Sequence, residues 1–308
     1  MIDDGIRSIR SFGRKALLAE RTASPASIVR TICNALALLA AVLGSAETSA
    51  QEPRTAFRPC IDPGNLPFAN VKGEGFENRV AELFAQKLGL PVKYYAFPQR
   101  MNFVRNTLRY KLPGEDFRCD IVMSVPAGYD QVSATAPYYR STYALVYPKG
   151  KGLDQVRSGA DLSALPPDRR SNLKIGIYDK SPASAWLVKH GLEAQAKPYN
   201  MLSPDPEQYP GEIIEKDLTE GKIDAAIVWG PIAGYYAKRV RNVDLAVIPL
   251  KSEPGVKFDY EIAMGVRYGE PEWKATVQKL ISENQAAITA ILREYNVPLV
   301  DAQGEPVK

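Results

Sequence analysis

The residues that could support catalytic chemistry are few in this sequence. It contains a single histidine, His190, in the run WLVKHG. A Ser-His-Asp or Cys-His arrangement would have to use this histidine, because there is no second one. The HExxH, CxxC, GxxxxGK[ST] and GxGxxG motifs are also absent. We therefore predict no enzymatic activity, no metal centre and no cofactor.

Polar side chains follow predicted strands at their carboxyl ends, where ligands of α/β folds bind. Asp62 and Asn65 come directly after the first predicted strand, and Asp179 and Ser181 follow an equivalent strand later in the chain. Each pair has a local alternative, since Asp-Pro-Gly-Asn forms turns and a serine caps helices. We predict that all four line a ligand-binding cleft.

Three charged residues join this set. Glu77 opens a predicted helix, where the helix dipole favours an acid with or without a ligand. Arg100 and Arg140 carry planar guanidinium groups that grip anions or the carboxylates of a partner. Surface arginines are commonly only solvated charges, and Arg140 is the stronger candidate because it lies in the aromatic run YYRSTYALVY.

Four aromatic residues complete the predicted cleft: Phe68, Tyr129, Tyr139 and Trp229. Aromatic side chains belong to a core more often than to a binding surface. Trp229, however, ends a predicted strand directly before Gly-Pro, where its ring can line a cleft. The chain has 16 tyrosines and 9 phenylalanines, a bias that suits recognition surfaces with wet edges.

The elements that must position these residues alternate between strands and helices. Hydrophobic periodicity predicts a long amphipathic helix over 272–295 with one candidate break, and an irregular segment over 194–211. The remaining predicted strands are 57–62, 92–97, 120–125, 138–147, 173–178, 224–229, 245–250 and 260–267, and the remaining predicted helices are 75–90, 100–108, 182–190, 212–220 and 231–240.

This alternation predicts the fold class. Strands that alternate with helices form mostly parallel sheets with helices on both faces. Because the series occurs twice, we predict an α/β protein of two lobes, with 51–147 and 258–308 in lobe 1 and 148–257 in lobe 2. Two segments then cross between the lobes as a hinge, and the ligand cleft lies between the lobes.

The N-terminus predicts export. Sixteen uncharged residues lie between Arg30 and Glu47, with basic residues before them and small residues after them. A stable membrane span needs about 20 apolar residues, so this run is short for an anchor. We predict that 1–50 is a signal peptide cleaved after Ala46 or Ala50 and that the mature chain is periplasmic. The alternative is a retained anchor.

Two cysteines, Cys60 and Cys119, remain once Cys33 has left with the signal peptide. Exported proteins form disulfides, and the predicted strands that carry these cysteines are neighbours in the sheet. We therefore predict that they are bridged; the alternative is two buried thiols that never meet. A bridge would close a loop of 58 residues and stabilise the fold by about 4 kcal/mol in the chain-entropy model.

Composition and charge exclude a nucleic-acid binder. Hydrophobic residues make up 45% of the chain and charged residues 24%, as in ordinary globular proteins. The net charge is only +4, from 39 basic and 35 acidic residues. No basic stripe with interleaved aromatic residues is present in the sequence.

Several longer motifs resemble a known family. The order strand–DPGNLPF–GF–helix and the run GKIDAAIVW are similar to type II periplasmic solute-binding proteins, and the resemblance covers 57–298. Four more specific runs resemble the quinoprotein-dehydrogenase-associated binding proteins of the MxaJ/XoxJ family: FPQRMNFVRNTL, PAGYDQVSATAPYYRSTY, WGPIAGYYA and ILREYNVPL. The resemblance implies an accessory role towards a PQQ-dependent methanol dehydrogenase of the calcium or lanthanide type, with its cytochrome c as a further candidate partner.

The sequence departs from amino-acid-binding members of the superfamily at two positions. Those relatives place a carboxylate-gripping arginine where this chain has Gly128, and an ammonium-binding acid where it has Trp229-Gly230. An α-amino acid would then lose solvation without gaining partners for its two charges. We predict that this chain does not bind amino acids in the usual way.

Three alternatives stay open beside the accessory role. The first is a substrate-binding protein of an ABC transporter for a small organic solute that is not an amino acid. The second is an enzyme on the same fold, such as the cyclohexadienyl dehydratases, with Glu77 or Asp62 as acid or base. The third is a metal carrier that uses Asp62, Glu77 and Asp179 as oxygen ligands.

Overall fold

A ten-residue strand, β7 (Tyr139–Pro148), connects the two halves of the fold. The computed structural model describes residues 53–98, 102–201 and 208–307. Along β7, Tyr139–Thr142 pair with the late strand β12 (Asp259–Val266), whereas the residues from Tyr143 onward pair with strands of the middle of the chain. One strand therefore belongs to both halves.

The strands and helices alternate as the sequence predicts. The other strands are β1 (Pro59–Ile61), β2 (Gly64–Asn65), β3 (Ala69–Asn70), β4 (Tyr95–Ala96), β5 (Ile121–Pro126), β6 (Ser133–Ala134), β8 (Ile175–Tyr178), β9 (Ala196–Tyr199), β10 (Ala225–Trp229) and β11 (Leu245–Pro249). The α-helices are α1 (Phe76–Leu88), α2 (Phe103–Asn106), α3 (Gly159–Ser163), α4 (Pro167–Ser171), α5 (Pro182–Lys189), α6 (Gly230–Arg239), α7 (Pro271–Glu283) and α8 (Gln285–Glu294). A 3₁₀ turn covers Glu193–Gln195 and a π-helical segment covers Ile213–Leu218.

The strand order is β4-β1-β5-β12-β7-β10-β8-β9, with β6 beside β12 and β11 beside β7. The outer strands pair in parallel on both sides, namely β4-β1-β5 in the first half and β10-β8-β9 in the second. The ladders that β7 and β12 make are antiparallel. The predicted α/β fold class is confirmed.

Each half has its own hydrophobic core. In the first half, α1, α7 and α8 pack on the sheet around the fully buried Phe57, Phe76 and Met264. In the second half, one cluster surrounds Leu145 and Trp186 on one side, and another contains Val146, Val228 and Tyr236. The predicted lobe boundaries at 147/148 and 257/258 remain predictions; the partners of β7 change between Thr142 and Tyr143.

The predicted disulfide is present. Cys60 in β1 and Cys119 just before β5 are bridged, with their Cα atoms 5.3 Å apart. β1 and β5 are parallel neighbours in the sheet, so the segment that enters β5 passes close to β1, although the register partner of Cys60 is Val122. The predicted signal peptide over 1–50 lies outside the described residues. In the described part of the chain, no helix combines the length and the apolar character that a bilayer span needs.

Two predicted elements differ in detail, and a third has the break that the sequence left as a candidate. The helix predicted over 272–295 is two helices that meet at Asn284, where the side-chain amide donates to the Leu280 carbonyl at 2.8 Å. The helix predicted over 212–220 is π-helical. The segment predicted as irregular contains β9. This part of the segment is a strand because it pairs in parallel with β8.

Candidate functional site

The hairpin of β2 and β3 lies directly against the start of α1. The backbone amides of Phe76 and Glu77 donate to the carbonyls of Pro67 and Phe68, each at 2.8 Å. Gly75 permits this approach, because a Cβ atom there would lie 2.1 Å from the Phe68 carbonyl oxygen. The hairpin and the helix start thus bring the Phe68 ring and the Glu77 carboxyl group to the region where the two halves meet. We call this region the junction.

The Glu77 carboxyl group at the junction is buried without a cation. Only 8% of the residue is exposed, and no described cation acts on its pKa. Loss of solvation raises the pKa of Glu77 to about 7, the Ser124 hydroxyl opposes this rise, and the Asp62 carboxylate adds to it. At neutral pH the group is therefore close to half protonated, so it can donate a hydrogen bond as well as accept one.

Two tyrosines stand beside this carboxyl group. The rings of Tyr138 and Tyr139 are 4.8 Å apart in an edge-on arrangement, and the hydroxyls of Tyr138 and Ser124 are 3.2 Å apart. The Tyr139 hydroxyl is buried and makes no hydrogen bond of normal geometry to a described residue, although the Ser124 hydroxyl is near enough to act on its pKa. An unpaired buried hydroxyl costs about 1–3 kcal/mol, so a polar group of a ligand placed here would be stabilising.

The second half contributes a similar unpaired hydroxyl. Ser181 directly precedes α5, is 5% exposed, and its side-chain oxygen has no described partner. The amide groups at a helix start favour anions, and this hydroxyl adds a donor to them. Asp179 is committed locally, because its Oδ1 accepts from the Met201 amide at 3.0 Å.

Trp229 is placed where the two halves meet. Its ring lies 5.4 Å from the ring of Tyr143 and 5.9 Å from that of Tyr260, and it packs on the cores of both halves. At Gly230, a Cβ atom would lie 2.2 Å from the Thr142 carbonyl oxygen. An acidic side chain at position 230 would therefore have to displace β7.

The hairpin also reaches across to the second half. Phe68 packs on the core clusters of both halves, and Leu66 packs on that of the second half. The Tyr236 hydroxyl of α6 donates to the Leu66 carbonyl at 3.0 Å. These contacts close the junction with side chains of the protein itself.

A second contact between the halves involves α6 and the end of α8. The rings of Tyr235 and Tyr295 are stacked, with centroids 5.8 Å apart and planes 16° apart. At Gly234, a Cβ atom would lie 1.8 Å from the Asn296 carbonyl oxygen, so only glycine allows this approach. Tyr295 also donates to the Glu74 carbonyl at 2.7 Å, which ties the stack to the segment before α1.

Other predicted cleft residues lie apart from the junction or are engaged elsewhere. The Arg140 guanidinium bridges Asp259 at 2.5 Å and Glu261 at 2.7 Å, so it would have to leave two carboxylates to bind a ligand. Tyr129 packs with the hydrophobic cluster around the disulfide. Arg100 lies outside the described residues.

Asp62 and Asn65 have local roles in the hairpin region. The Asp62 Oδ1 accepts from the Gly64 amide at 2.9 Å, which is the turn named above as its alternative. Its carboxylate nevertheless acts on the pKa of Glu77. Asn65 pairs with Ala69 across the hairpin. Contacts of either side chain with a ligand stay predictions.

The structure does not favour the metal-carrier alternative. Within the described ranges, no three His, Cys, Asp or Glu side chains converge closely enough to hold a metal ion. Glu77 belongs to the first half and Asp179 to the second, and the Asp179 carboxylate is occupied by a backbone amide. The candidate ligands therefore form no common oxygen site.

Sequence reasoning missed Leu66 and Tyr295 as members of the junction. Leu66 contributes its carbonyl group, which no side-chain pattern reveals. Tyr295 lies in ILREYNVPL, a run that carried the family resemblance, and it meets Tyr235 of WGPIAGYYA, another such run. The signal available in the sequence was that both tyrosines lie in runs that carry the family resemblance.

Comparison with known proteins gives a consistent result. No family model matches the sequence. The structure is similar to that of the periplasmic binding protein XoxJ from Methylobacterium extorquens AM1, with 36% identity and a TM-score of 0.64 over 80% of this chain and 100% of that one. MxaJ from Methlophaga aminisulfidivorans MPT matches with 23% identity and a TM-score of 0.65 over 80% of this chain and 100% of that one. The protein MoxJ of Paracoccus denitrificans is 25% identical over 259 residues, which are 80% of this chain and 90% of that protein.

Proposed function

This chain belongs to the family of periplasmic binding proteins that includes XoxJ, and we propose that it is an accessory factor of a PQQ-dependent methanol dehydrogenase in the periplasm. It binds a segment of the dehydrogenase, or a ligand, at the junction between its halves. It is not itself a catalyst. The observation that carries this proposal is the aromatic junction, in which Phe68 and Trp229 each pack on the cores of both halves.

The chemistry of the junction favours an apolar polypeptide segment over a charged solute. Aromatic side chains bury a large apolar area at a modest cost in conformational entropy, which suits a protein interface. Gly230 leaves no space for the acid that would hold an ammonium group, and Gly128 offers no guanidinium. The two charges of an amino acid would be left unpaired on burial.

Binding requires the junction to open. A partner segment has to replace the Phe68 ring between the two cores and the bond from Tyr236 to the Leu66 carbonyl. The hydroxyl of Tyr139 and the half-protonated carboxyl of Glu77 then supply hydrogen bonds for backbone groups of the segment. Because a segment that replaces the Phe68 ring would contact the cores of both halves, the partner shifts the balance between the open and closed forms.

A second candidate function rests on the unpaired hydroxyls of Tyr139 and Ser181. These two groups belong to opposite halves, as the polar groups of a small-solute site do. They support a substrate-binding protein of an ABC transporter for a small organic solute that is not an amino acid. In that case the solute binds tightly and the dehydrogenase does not.

The test uses the mature protein and the methanol dehydrogenase of the same organism. We expect the two to form a complex in solution and the rate of methanol oxidation to change when the protein is present. Tyr139→Phe should weaken the complex, because it removes the unpaired hydroxyl of the junction. Tyr147→Phe is the matched control, since Tyr147 is a buried tyrosine of the second half whose hydroxyl donates to the Val156 carbonyl at 2.7 Å.

The proposal fails if the wild-type protein neither binds the dehydrogenase nor changes its rate. Tight binding of a small solute in that situation would establish the transporter function. Equal weakening by both tyrosine variants would contradict the assignment of the junction as the binding site.

A further inference from the structure

We propose that residues 109–118, called here the 109–118 loop, form a second docking surface that binds an acidic patch with an apolar centre on the partner protein. The inference rests on the proposed function for the identity of that partner, the dehydrogenase, and goes beyond it in assigning a separate site. The loop follows α2 and leads to the disulfide at Cys119.

The loop lies at the end of the first half that faces away from the junction. It enters β5 at the amino end of that strand, whereas Ser124, near the carboxyl end, acts on Glu77 at the junction. β12 runs antiparallel to β5, so Arg267 and Tyr268, which follow β12, return to the same end as the loop. A partner can therefore contact the loop and the junction through different parts of its surface.

The loop presents apolar side chains to solvent. Tyr110 is 37% exposed and Leu112 is 40% exposed. Tyr268, at the same end of the sheet, is 64% exposed, with its hydroxyl donating to the Asp130 carbonyl at 3.0 Å. A single exposed apolar residue is ordinary, but two exposed tyrosines near arginines at one end of a sheet are the residue types that anchor protein interfaces, and Leu112 adds apolar area beside them.

The charged side chains near these apolar residues indicate what kind of partner surface the loop binds. Arg105 and Arg109 are both exposed, and neither is joined by an ion pair to a described residue. The Arg118 guanidinium, by contrast, is paired with Glu115 at 2.8 Å. The loop itself carries Arg109, Lys111 and Arg118 against Glu115 and Asp116, which leaves an excess of positive charge. Two exposed guanidinium groups beside an apolar tip, with no ion pair to the described residues, fit carboxylates around an apolar depression, because guanidinium and carboxylate pair in a bidentate manner.

The two ends of the loop are held by one buried arginine. Arg267 is 7% exposed and donates to the carbonyl of Leu108 at 3.0 Å and to that of Cys119 at 2.5 Å. Its guanidinium also lies 4.1 Å from the ring centroid of Phe117, and the Lys111 amine lies 5.1 Å from that centroid. The loop is therefore fixed from within, close to both ends.

This fixation is what a docking loop requires. A flexible loop loses conformational freedom when it binds, and that loss opposes association. Here Arg267 and the disulfide hold the loop in place in the free protein, so little conformational freedom is lost on binding. An exposed convex loop cannot enclose a small molecule, so a protein surface is the matching partner.

The experiment measures binding of immobilised mature protein to the purified dehydrogenase at several salt concentrations. Arg105→Glu combined with Arg109→Glu should raise Kd about tenfold at low salt, and the difference should shrink as salt screens the charges. Tyr110→Ser combined with Leu112→Ser should raise Kd about tenfold, mainly through faster dissociation, at any salt concentration.

The matched control is Lys238→Glu combined with Arg241→Glu. These exposed residues line an open groove of about 660 Å³ that α6 and β11 form with Asn296 and Pro298, and the double variant makes the same change in net charge. It should bind within about twofold of wild type, because its residues lie away from the loop.

Each outcome has a distinct meaning. If wild type does not bind the dehydrogenase, the proposed function fails and this inference fails with it. If wild type binds and both loop variants bind equally well, only the docking loop is wrong. If the control weakens binding and the loop variants do not, the groove is the docking surface and the inference is overturned.

Discussion

The first half of the molecule buries two carboxyl groups, and the fold treats them in opposite ways. Asp120, directly before β5, is fully buried and meets Arg54, Arg58 and Arg267, each at 2.7 Å. Glu77, near the other end of β5, is almost as buried and has no cation beside it in the described structure. Burial would raise the pKa of both groups.

The pKa values of the two carboxyl groups shift in opposite directions because the neighbouring side chains differ. At Asp120, burial opposes ionisation, but the hydrogen bonds from Arg58 and Arg267 outweigh it and hold the pKa of this carboxyl below its usual value. At Glu77, burial dominates and the pKa rises to about 7. A carboxylate that is fully paired holds a fold together, whereas one left without a cation inside a junction is available to a ligand.

Removing the paired carboxylate should have the largest effect. Asp120→Asn removes the carboxylate that pairs with Arg58 and leaves Arg54 and Arg267 paired only with Glu270 among the described residues, and we expect a loss of about 3–5 kcal/mol in the free energy of unfolding. Urea titration at neutral pH measures this loss. Asp116→Asn, at an exposed carboxylate in the same half, should change it by about 0.5 kcal/mol or less. Equal effects of the two variants would contradict the role assigned to Asp120.

Neutralising Glu77 should remove a dependence of the stability on pH. Its pKa is higher in the folded state, so the folded protein holds a proton that the unfolded chain releases between about pH 4.5 and 7. The wild type should therefore lose stability, on the order of 3 kcal/mol, as pH rises from 5 to 8. Glu77→Gln should remove this loss and be the more stable protein at pH 8.

Urea titrations of both proteins at pH 5 and pH 8 test this prediction. Glu82→Gln, an exposed position on the same helix, is the control and should behave as wild type. A wild-type protein whose stability does not fall over this range would show that Glu77 is ionised in the folded state.

The smallest expected effect comes from comparing the Tyr236 hydroxyl, which makes a hydrogen bond, with the Tyr139 hydroxyl, which has no described partner. Tyr236→Phe removes the bond to the Leu66 carbonyl and should cost about 1 kcal/mol of unfolding free energy. Tyr139→Phe removes a buried hydroxyl that has no described partner, so the stability should stay unchanged or rise. Thermal unfolding of the two variants gives the comparison. A larger loss for Tyr139→Phe would mean that its hydroxyl is already satisfied within the protein.

The sequence was informative wherever periodicity reflects burial. The spacing of Phe76, Val80 and Phe84 predicted α1, and the aromatic run of β7 predicted a strand near the crossover. Glu77, at a helix start, and Trp229, at a strand end, were predicted to line the cleft, and the fold brings both to the junction; their contact with a ligand stays a prediction. Such positions follow from local pattern and fold class together.

The remainder depends on contacts that are distant in the chain. The ionic cluster joins Arg54, Asp120 and Arg267, which no local pattern connects. The packing of Phe68 on both halves depends on how closely the hairpin approaches α6, and that distance is set by the complete tertiary structure. For the same reason, the engagement of Arg140 by Asp259 and Glu261 was not foreseen.

The late position of β12, which completes the sheet of the first half, has a consequence for the order of assembly. β5 in the first half acquires its antiparallel neighbour only from residues 259–266, and the helices that cover this sheet, α7 and α8, come later still. As the chain is synthesised from its amino end, the first half therefore stays unfinished until residues 259–266 have been made, while the second half has every described strand it needs earlier. The amino-terminal half is made first but completed last, so it exposes apolar surface and is prone to aggregate for longer than the second half.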